Sequence, residues 1–303
     1  MARVLEAGSS SAAGAPAVPT PLSVIVPVFN EREGIRQTVE ALRRVLDALP
    51  RETELIVVDD GSSDGTAAIL DELGVASVRH EVNLGYGAAL KSGILRSRHP
   101  LIAILDGDAT YPADALPRLL AHMERHDMVV GARTGNDVHV PTMRRPAKWI
   151  LTRLAHFLSG HRVPDLNSGF RVFRRELAER FFGLFPDGFS FTTTITLAAL
   201  TNGYAVRFEP IDYYRRRGRS AIRPVRDFLG FLLLVVRLVV YFRPLNVFLP
   251  ASLLLFGAGA IKAGIDVYRQ NFIGVGAAVA ILVAIQVAFL GLLADLIMRR
   301  TRL

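Results

Sequence analysis

In LIAILDGDATYP, the apolar run Leu101 to Leu105 leads into Asp106 and Asp108, with Gly107 between them. A short run of Ile and Leu reads as a buried strand. Residues i and i+2 of an extended segment point to one side, so the two acids can converge on one ligand. Carboxylates brought together repel, and a hard cation such as Mg²⁺ or Mn²⁺ takes oxygen donors of this kind. Two more apolar runs end in polar signatures: VFNE (Val28 to Glu31) and VVDDGSSDGT (Val57 to Thr66). Each also has a plain structural reading, with Asn30 or Asp64 capping the helix that follows. LGYGAALKSG, from Leu84, has two close glycines but lacks the dinucleotide pattern GxGxxG.

Strands and helices must alternate to place these signatures. LSVIVPVF (from Leu22), ELIVVDD (from Glu54), SVRH (from Ser77), LIAILD and DMVVGAR (from Asp127) are predicted strands. Ile35, Val39, Leu42, Val45, Leu46 and Leu49 give Glu33 to Leu49 a helical spacing, and Thr66 to Leu73, Gly87 to Arg98 and Ala113 to His126 are further predicted helices. This order predicts an α/β fold, a mostly parallel sheet covered by helices. Ligands of such sheets bind beyond the carboxyl ends of the strands, where the three signatures lie.

The 303 residues are 50% hydrophobic, with a mean hydropathy of +0.31. The apolar excess lies beyond Phe228. Val247 to Ile265 and Phe272 to Met298 each hold enough apolar residues to span a bilayer. The link DVYRQN is short, which predicts a hairpin in which Gly257, Gly259, Gly264, Gly274 and Gly276 allow close approach. Lys262 and Asp266 read as snorkelling side chains. Before the hairpin, VRDFLGFLLLVVRLVVYFRP is apolar but interrupted by Arg226, Arg237 and Arg243, as in a helix lying in the membrane interface. The resulting division is a disordered tail over 1–21, a globular domain over 22–222, an interfacial helix over 223–244 and a hairpin over 245–303. The tail has no apolar core of a signal peptide, and the absence of cysteine fits a reducing compartment. The net charge is +8, and its arginine clusters flank hydrophobic segments, which favours anionic lipid over nucleic acid as the partner. The positive-inside rule places both termini and the globular domain in the cytoplasm. A homo-oligomer is left open.

With VIVPVFNE, ELIVVDDGSSDGT, NLGYGAALKSG, DGD, GAR (Gly131 to Arg133), DLNSGFRVFRR (from Asp165), PDGFSFTTTITLAALTNGY, YYRRRGRSAIRP and the hairpin together, the chain resembles family 2 glycosyltransferases of GT-A fold, in the branch of polyprenyl-phosphate (dolichol-phosphate) sugar synthases. The resemblance implies an inverting transfer from a nucleoside-diphosphate sugar to a polyprenyl phosphate. It implies Asp106 and Asp108 as ligands of Mg²⁺ or Mn²⁺, with Asp108 the firmer. Pro27, Val28, Asn30, Glu31, Asp59, Asp60, Asp106, Gly107 and Asp108 then resemble a nucleotide-binding edge, with Gly85 and Lys91 near the phosphates. Asp165 and Ser168 lie by the sugar and acceptor. Arg133, Arg171, Arg215, Arg216 and Arg219 are candidates for the acceptor phosphate, and Arg133, Asp165 and Arg216 join Asp108 as catalytic candidates. Either Arg215 or Arg216 is the motif arginine. Relatives often carry a lysine where this chain has Ala221, so one phosphate contact is missing or comes from Arg219 or Arg223. A phosphate monoester is largely ionised at neutral pH, so neither acid is needed as a general base. The rival expectations are a processive polysaccharide synthase and a non-catalytic membrane partner. Against the first, the single tryptophan, Trp149, lacks the context of a QxxRW motif and two spans are few for a polymer channel; against the second stands the intact DGD.

Overall fold

The computed structural model describes residues 19–138, 160, 163–188, 190–214 and 244–300. The expectations for the tail up to residue 18, Trp149, Arg215, Arg216, Arg219, Ala221 and the interfacial helix up to residue 243 lie outside the described residues.

The first half alternates as expected: β1 (Leu22–Val28), α1 (Ile35–Asp47), β2 (Thr53–Asp59), α2 (Thr66–Leu73), β3 (Ser77–Arg79), α3 (Tyr86–Arg96), β4 (Leu101–Ile104), α4 (Leu116–Ala121) and β5 (Met128–Val138). Two helices are shorter than their apolar spacing suggested. At α1 a turn comes first, in which Glu31 O accepts from Gly34 N and Ile35 N, both at 3.0 Å. At α4 a 3₁₀ turn, Ala113–Ala115, precedes the helix, and Pro117 sits in its first turn.

Beyond β5 come elements whose patterns are weaker in sequence: β6 (Arg171–Arg174), α5 (Arg175–Phe181), α6 (Phe191–Thr201) and β7 (Val206–Tyr213). The seven-stranded sheet has the order β3-β2-β1-β4-β6-β5-β7. β6 opposes both neighbours, and the other strands share one direction. The reversal is what builds the site. Ile104, at the carboxyl end of β4, pairs with Arg171, at the amino end of β6. The segment before β6 therefore arrives at the edge where β4 delivers its acids.

Both faces of the sheet are covered, which is why β1 is buried throughout. Alternation divides its side chains. Val24, Val26 and Val28 join a core with Ile35, Leu42, Leu116, Leu119 and Phe170, under α1 and α4. Ile25 joins the opposite core with Ile56, Val58, Leu90, Ile94, Phe173, Ile195 and Leu197, under α3 and α6.

The C-terminal part is two 26-residue helices, α7 (Leu245–Gln270) and α8 (Val275–Arg300), joined at Asn271 in left-handed conformation (φ 60°). Within each, an 18-residue stretch has a mean hydropathy of 1.6 and 2.6 respectively, and both helices are long and apolar enough to cross a membrane. Each is about 39 Å long at the α-helical rise, against a hydrocarbon core of roughly 30 Å. Gly259 lies against Ile281 and Ala280, and Gly291 against Phe248, whereas Gly257 and Gly264 meet no neighbour within 4 Å. Lys262 and Asp266 do not reach out separately. Lys262 Nζ lies 3.1 Å from Asp266 Oδ1, one turn along, and Asp266 packs where a side chain on Gly274 would stand.

Gly93 fixes the distance between α3 and the sheet, because a methyl there would overlap Ile25 and press on Val58. Gly93→Ala is expected to destabilise the protein by about 1–3 kcal/mol through overpacking. Denaturant unfolding of the full chain in detergent checks this; an unchanged midpoint would show that the helix has room to shift.

Candidate active site

Leu105 N donates to Ile25 O at 3.1 Å, and the chain then leaves the sheet as the 106–110 turn. Gly107 is required here, because a Cβ would overlap Val28. Ala109 takes a positive φ of 57°. Thr38 of α1 clamps the turn, its hydroxyl donating to Gly107 O at 3.2 Å and accepting from Ala109 N at 3.1 Å. Asp108 is buried, and its Oδ1 accepts from the Thr110 hydroxyl at 2.6 Å and the Thr110 amide at 3.2 Å. Thr110 thus orients Asp108. Asp106 is half-buried, its Oδ1 accepting from the Tyr86 hydroxyl at 2.8 Å. Both its oxygens occupy space that a methyl on Gly169 would fill.

Gly169 belongs to the loop before β6, and its amide donates to the Tyr111 hydroxyl at 2.8 Å. Tyr111 packs edge-on against Phe170 and Tyr213. Burial raises the phenols of Tyr86, Tyr111 and Tyr213 above their ordinary pKa, helped by the charge of Asp106 at Tyr86 and of Asp108 at Tyr213. Sequence reasoning left Tyr86, Gly169 and Tyr213 without a role at this site; the only signal was their place inside motifs read for other residues.

Several expected residues serve each other. Asp165, fully buried, takes Arg133 Nε at 2.7 Å, Arg133 NH2 at 2.9 Å and the Arg133 amide at 3.0 Å. The guanidinium also lies 5.1 Å from the Tyr213 ring centre. Arg133 is therefore committed to Asp165 rather than presented as an open phosphate ligand. Arg171 differs more sharply from its expected acceptor role. It is fully buried and donates to Thr192 O (2.8 Å), the Thr196 hydroxyl (2.9 Å) and Ser168 O. Burial lowers its pKa to about 10, so it stays charged at neutral pH. Ser168, also buried, donates to Gly131 O.

At the β1 and β2 ends the two polar signatures bond to each other. Asn30 N donates to Ser62 Oγ (2.9 Å), Ser63 N to Asn30 Oδ1 (2.8 Å), Glu31 N to Thr66 Oγ1 (3.0 Å) and Arg32 N to Asp64 Oδ2 (3.1 Å). Asn30 is thus a cross-loop clamp rather than the cap of α1, which begins after Gly34. Asp59 accepts from Ser62 N at 3.0 Å. Asp60 accepts from Leu84 N (2.9 Å) and Gly85 N (2.8 Å). Pro27 and Val28 run in register with Val58 and Asp59.

Gly85 and Lys91 are taken up by a segment far along the chain. A Cβ on Gly85 would lie 2.5 Å from Asp187 O, and one on Gly87 would overlap Pro186 O. Asp187 O accepts from Ala88 N at 3.0 Å in the first turn of α3. Lys91 pairs with the Asp187 carboxylate and donates to Phe185 O at 3.2 Å. The glycines thus admit residues 186–188 against α3.

The site suits a hard divalent cation. Its donors are carboxylate oxygens, and no group of three or more His, Cys, Asp or Glu stands ready to enclose a metal among the described residues. Two acids leave coordination positions for an anionic ligand's oxygens and for water, as Mg²⁺ prefers.

The family model described as glycosyl transferase family 2 matches residues 23–182, and that described as GtrB C-terminal hairpin matches residues 243–299. The chain is 31% identical over 205 residues to the dolichyl-phosphate hexose transferase of Haloferax volcanii, covering 67% of this chain and 87% of that one. It is 32% identical over 208 residues to the polyprenol monophosphomannose synthase of Mycolicibacterium smegmatis, covering 64% and 77%. Its fold matches glucosyl-3-phosphoglycerate synthase from Mycobacterium tuberculosis, crystallised with uridine diphosphate. The TM-score is 0.57 and the identity 19%, over 73% of this chain and 79% of that one.

Two expectations follow from the geometry. Gly169→Ala puts a methyl where the Asp106 carboxylate stands, and Thr110→Val removes the hydroxyl that holds Asp108; each should weaken Mn²⁺ binding about tenfold or more. Paramagnetic resonance of Mn²⁺ in the presence of a nucleoside diphosphate reads this; unchanged affinity in both variants would remove the metal from these acids. The buried phenols give a pH dependence. Their pKa values are raised above 10 in the fold, so the unfolded chain loses protons first as pH rises. Stability present below pH 10 should fall above it. The part of the tyrosinate absorbance that comes from Tyr86, Tyr111 and Tyr213 should then appear together with unfolding, not before it.

Proposed function

The chain belongs to glycosyl transferase family 2, and from that premise we propose that it moves a sugar, with inversion, from a nucleoside-diphosphate sugar to a polyprenyl phosphate at a membrane. The observation that carries the reading is the pair Asp106 and Asp108, held by Tyr86 and Thr110 against the loop that contains Asp165, Ser168 and Gly169. The names of the relatives from Haloferax volcanii and Mycolicibacterium smegmatis, and the two membrane-length helices, support a lipid phosphate as acceptor.

In this reading an acceptor phosphate oxygen attacks the anomeric carbon. The new C–O bond forms as the bond from that carbon to the donor's diphosphate breaks, and the nucleoside diphosphate leaves with the electron pair. No proton has to be removed first, because the second ionisation of a phosphate monoester lies near pH 6. The protein's task is therefore positioning and charge compensation. Asp108 and Asp106 would hold Mg²⁺ or Mn²⁺, which supplies positive charge beside the diphosphate. The turn at 30–31 and Asp59 define the nucleoside side. Arg133, within β5, holds Asp165, and Ser168 ties its loop to Gly131. Arg171 anchors that loop from below by bonding Ser168 O and the start of α6. Binding of the acceptor phosphate falls to Arg215, Arg216 and Arg219, since guanidinium matches phosphate geometry. The hairpin anchors the enzyme, and the arginines on its flanks place the transferase domain in the cytoplasm.

The test is transfer by the full-length protein in detergent, using polyprenyl phosphate and a panel of labelled nucleotide sugars with Mg²⁺. One donor is expected to give a lipid product that depends on the acceptor's phosphate, and no product from any donor would refute the reading. Asp108→Asn should lower transfer by about a hundredfold or more without unfolding the protein. Chelation should stop transfer, and added Mg²⁺ or Mn²⁺ should restore it.

A further inference from the structure

A polar cluster next to the nucleoside edge has no part in the transfer step. His80 directly follows β3, and its amide donates to Asp59 O at 2.9 Å. Its ring is 10% exposed. Nδ1 lies 2.7 Å from Asp60 Oδ1, and Nε2 lies 2.9 Å from the Ser92 hydroxyl on α3. Asp60, buried, also holds the amides of Leu84 and Gly85. Gly61, at φ 75°, leaves room for the backbone of Val82 and Asn83, which a Cβ would approach to 2.6 Å. The 82–85 segment is thus fixed to the end of β2 by one close packing contact and one carboxylate.

Ser92, His80 and Asp60 are connected in the order of an acyl-transfer triad, but the rest of that machinery is missing. Ser92 stands inside α3, where the neighbouring amides bond within the helix, so no pair of backbone donors faces an oxyanion. The cluster is a brace. A neutral imidazole that donates from Nδ1 to Asp60 must accept at Nε2 from the Ser92 hydroxyl, so one ring ties the end of β2 to α3. Asp60 receives three donors from the protein and is built to hold a loop. That loop presents two apolar side chains on either side of the exposed Asn83: Val82 is 61% exposed and Leu84 54% exposed, with Phe29 exposed at the end of the neighbouring β1.

We propose that His80 is a positioning residue for the donor's nucleoside: by fixing Asp60 it fixes the 82–85 segment, whose Val82 and Leu84, together with Phe29, form the apolar rim for the base. The proposal rests on the donor reading above. It is tested with the full-length protein in detergent, by calorimetric binding of UDP, GDP, CDP, ADP and dTDP with Mg²⁺, and by donor KM and kcat. His80→Ala should weaken binding of the preferred diphosphate about tenfold or more, the loss expected of one charge-assisted hydrogen bond. kcat at saturating donor should stay within about threefold, since the effect is on binding. His80→Asn places an amide N–H where Nδ1 stood and should recover most of the affinity. His80→Gln, whose amide reaches toward the Nε2 position, should not. Hydrogen exchange at Leu84 and Gly85 should quicken in His80→Ala and return in His80→Asn. Equal affinity in wild type and His80→Ala, or equal recovery by Asn and Gln, would overturn the proposal alone. A wild-type protein that binds none of the five diphosphates would overturn the donor reading and this proposal with it.

Discussion

The Asp106 carboxylate stands where a side chain on Gly169 would be, and much of the site follows from that contact. For a carboxylate leaving β4 to meet a backbone leading into another strand, the two segments must arrive at one edge. Only a strand that runs opposite to β4 can begin where β4 ends. β6 is that strand, paired so that Ile104 faces Arg171. The antiparallel insertion puts Asp165, Ser168 and Gly169 beside the acids, and places β5, with Arg133, one strand further out.

Charge is the second constraint. Asp106, Asp108 and Asp165 gather at one edge, and Arg133 and Arg171 stand close enough to act on the same phenols. Each of these five groups is held by partners within the protein: Tyr86 and Gly169 at Asp106, Thr110 at Asp108, Arg133 at Asp165, and Ser168, Thr192 and Thr196 at Arg171. Such placement is what a transfer between two anionic substrates requires. The ionic groups are set before either substrate arrives, and little reorganisation is left to the reaction itself.

The parallel half of the fold was legible because β1, β2 and β4 are largely apolar runs leading into polar signatures, a pattern that solvent-facing strands do not show. The antiparallel half was less so. RVFR begins and ends in arginine, and nothing local reveals that Arg171 points inward to the Thr192 carbonyl and the Thr196 hydroxyl of the remote α6. FTTTITLAALT is rich in β-branched residues, yet it is a helix buried on all sides, where packing overrides propensity. The spacing of the glycines in LGYG fits no dinucleotide pattern, and only the family resemblance put Gly85 near the phosphates. The partner of these glycines, residues 186–188, is remote in sequence, so the reason for them is tertiary. Thr110 carried no role in the sequence reading, yet its hydroxyl serves the acid two residues before it.

Residues 185–188 and the start of α6 join the two halves of the site mechanically. On one side residues 185–188 pack on α3, which carries Tyr86 to Asp106 and Lys91 to Asp187. On the other the first turn of α6 bonds Asn167 through Thr193 and Arg171 through Thr192. A displacement of α3 therefore acts on Asp106 directly and on the Asn167–Gly169 loop through α6. The two routes converge where Asp106 meets Gly169. A sheet edge alone would leave the acids and the Asn167–Gly169 loop as independent neighbours. The remote contact made possible by Gly85 and Gly87 ties them together, which is why small residues are needed at these two positions.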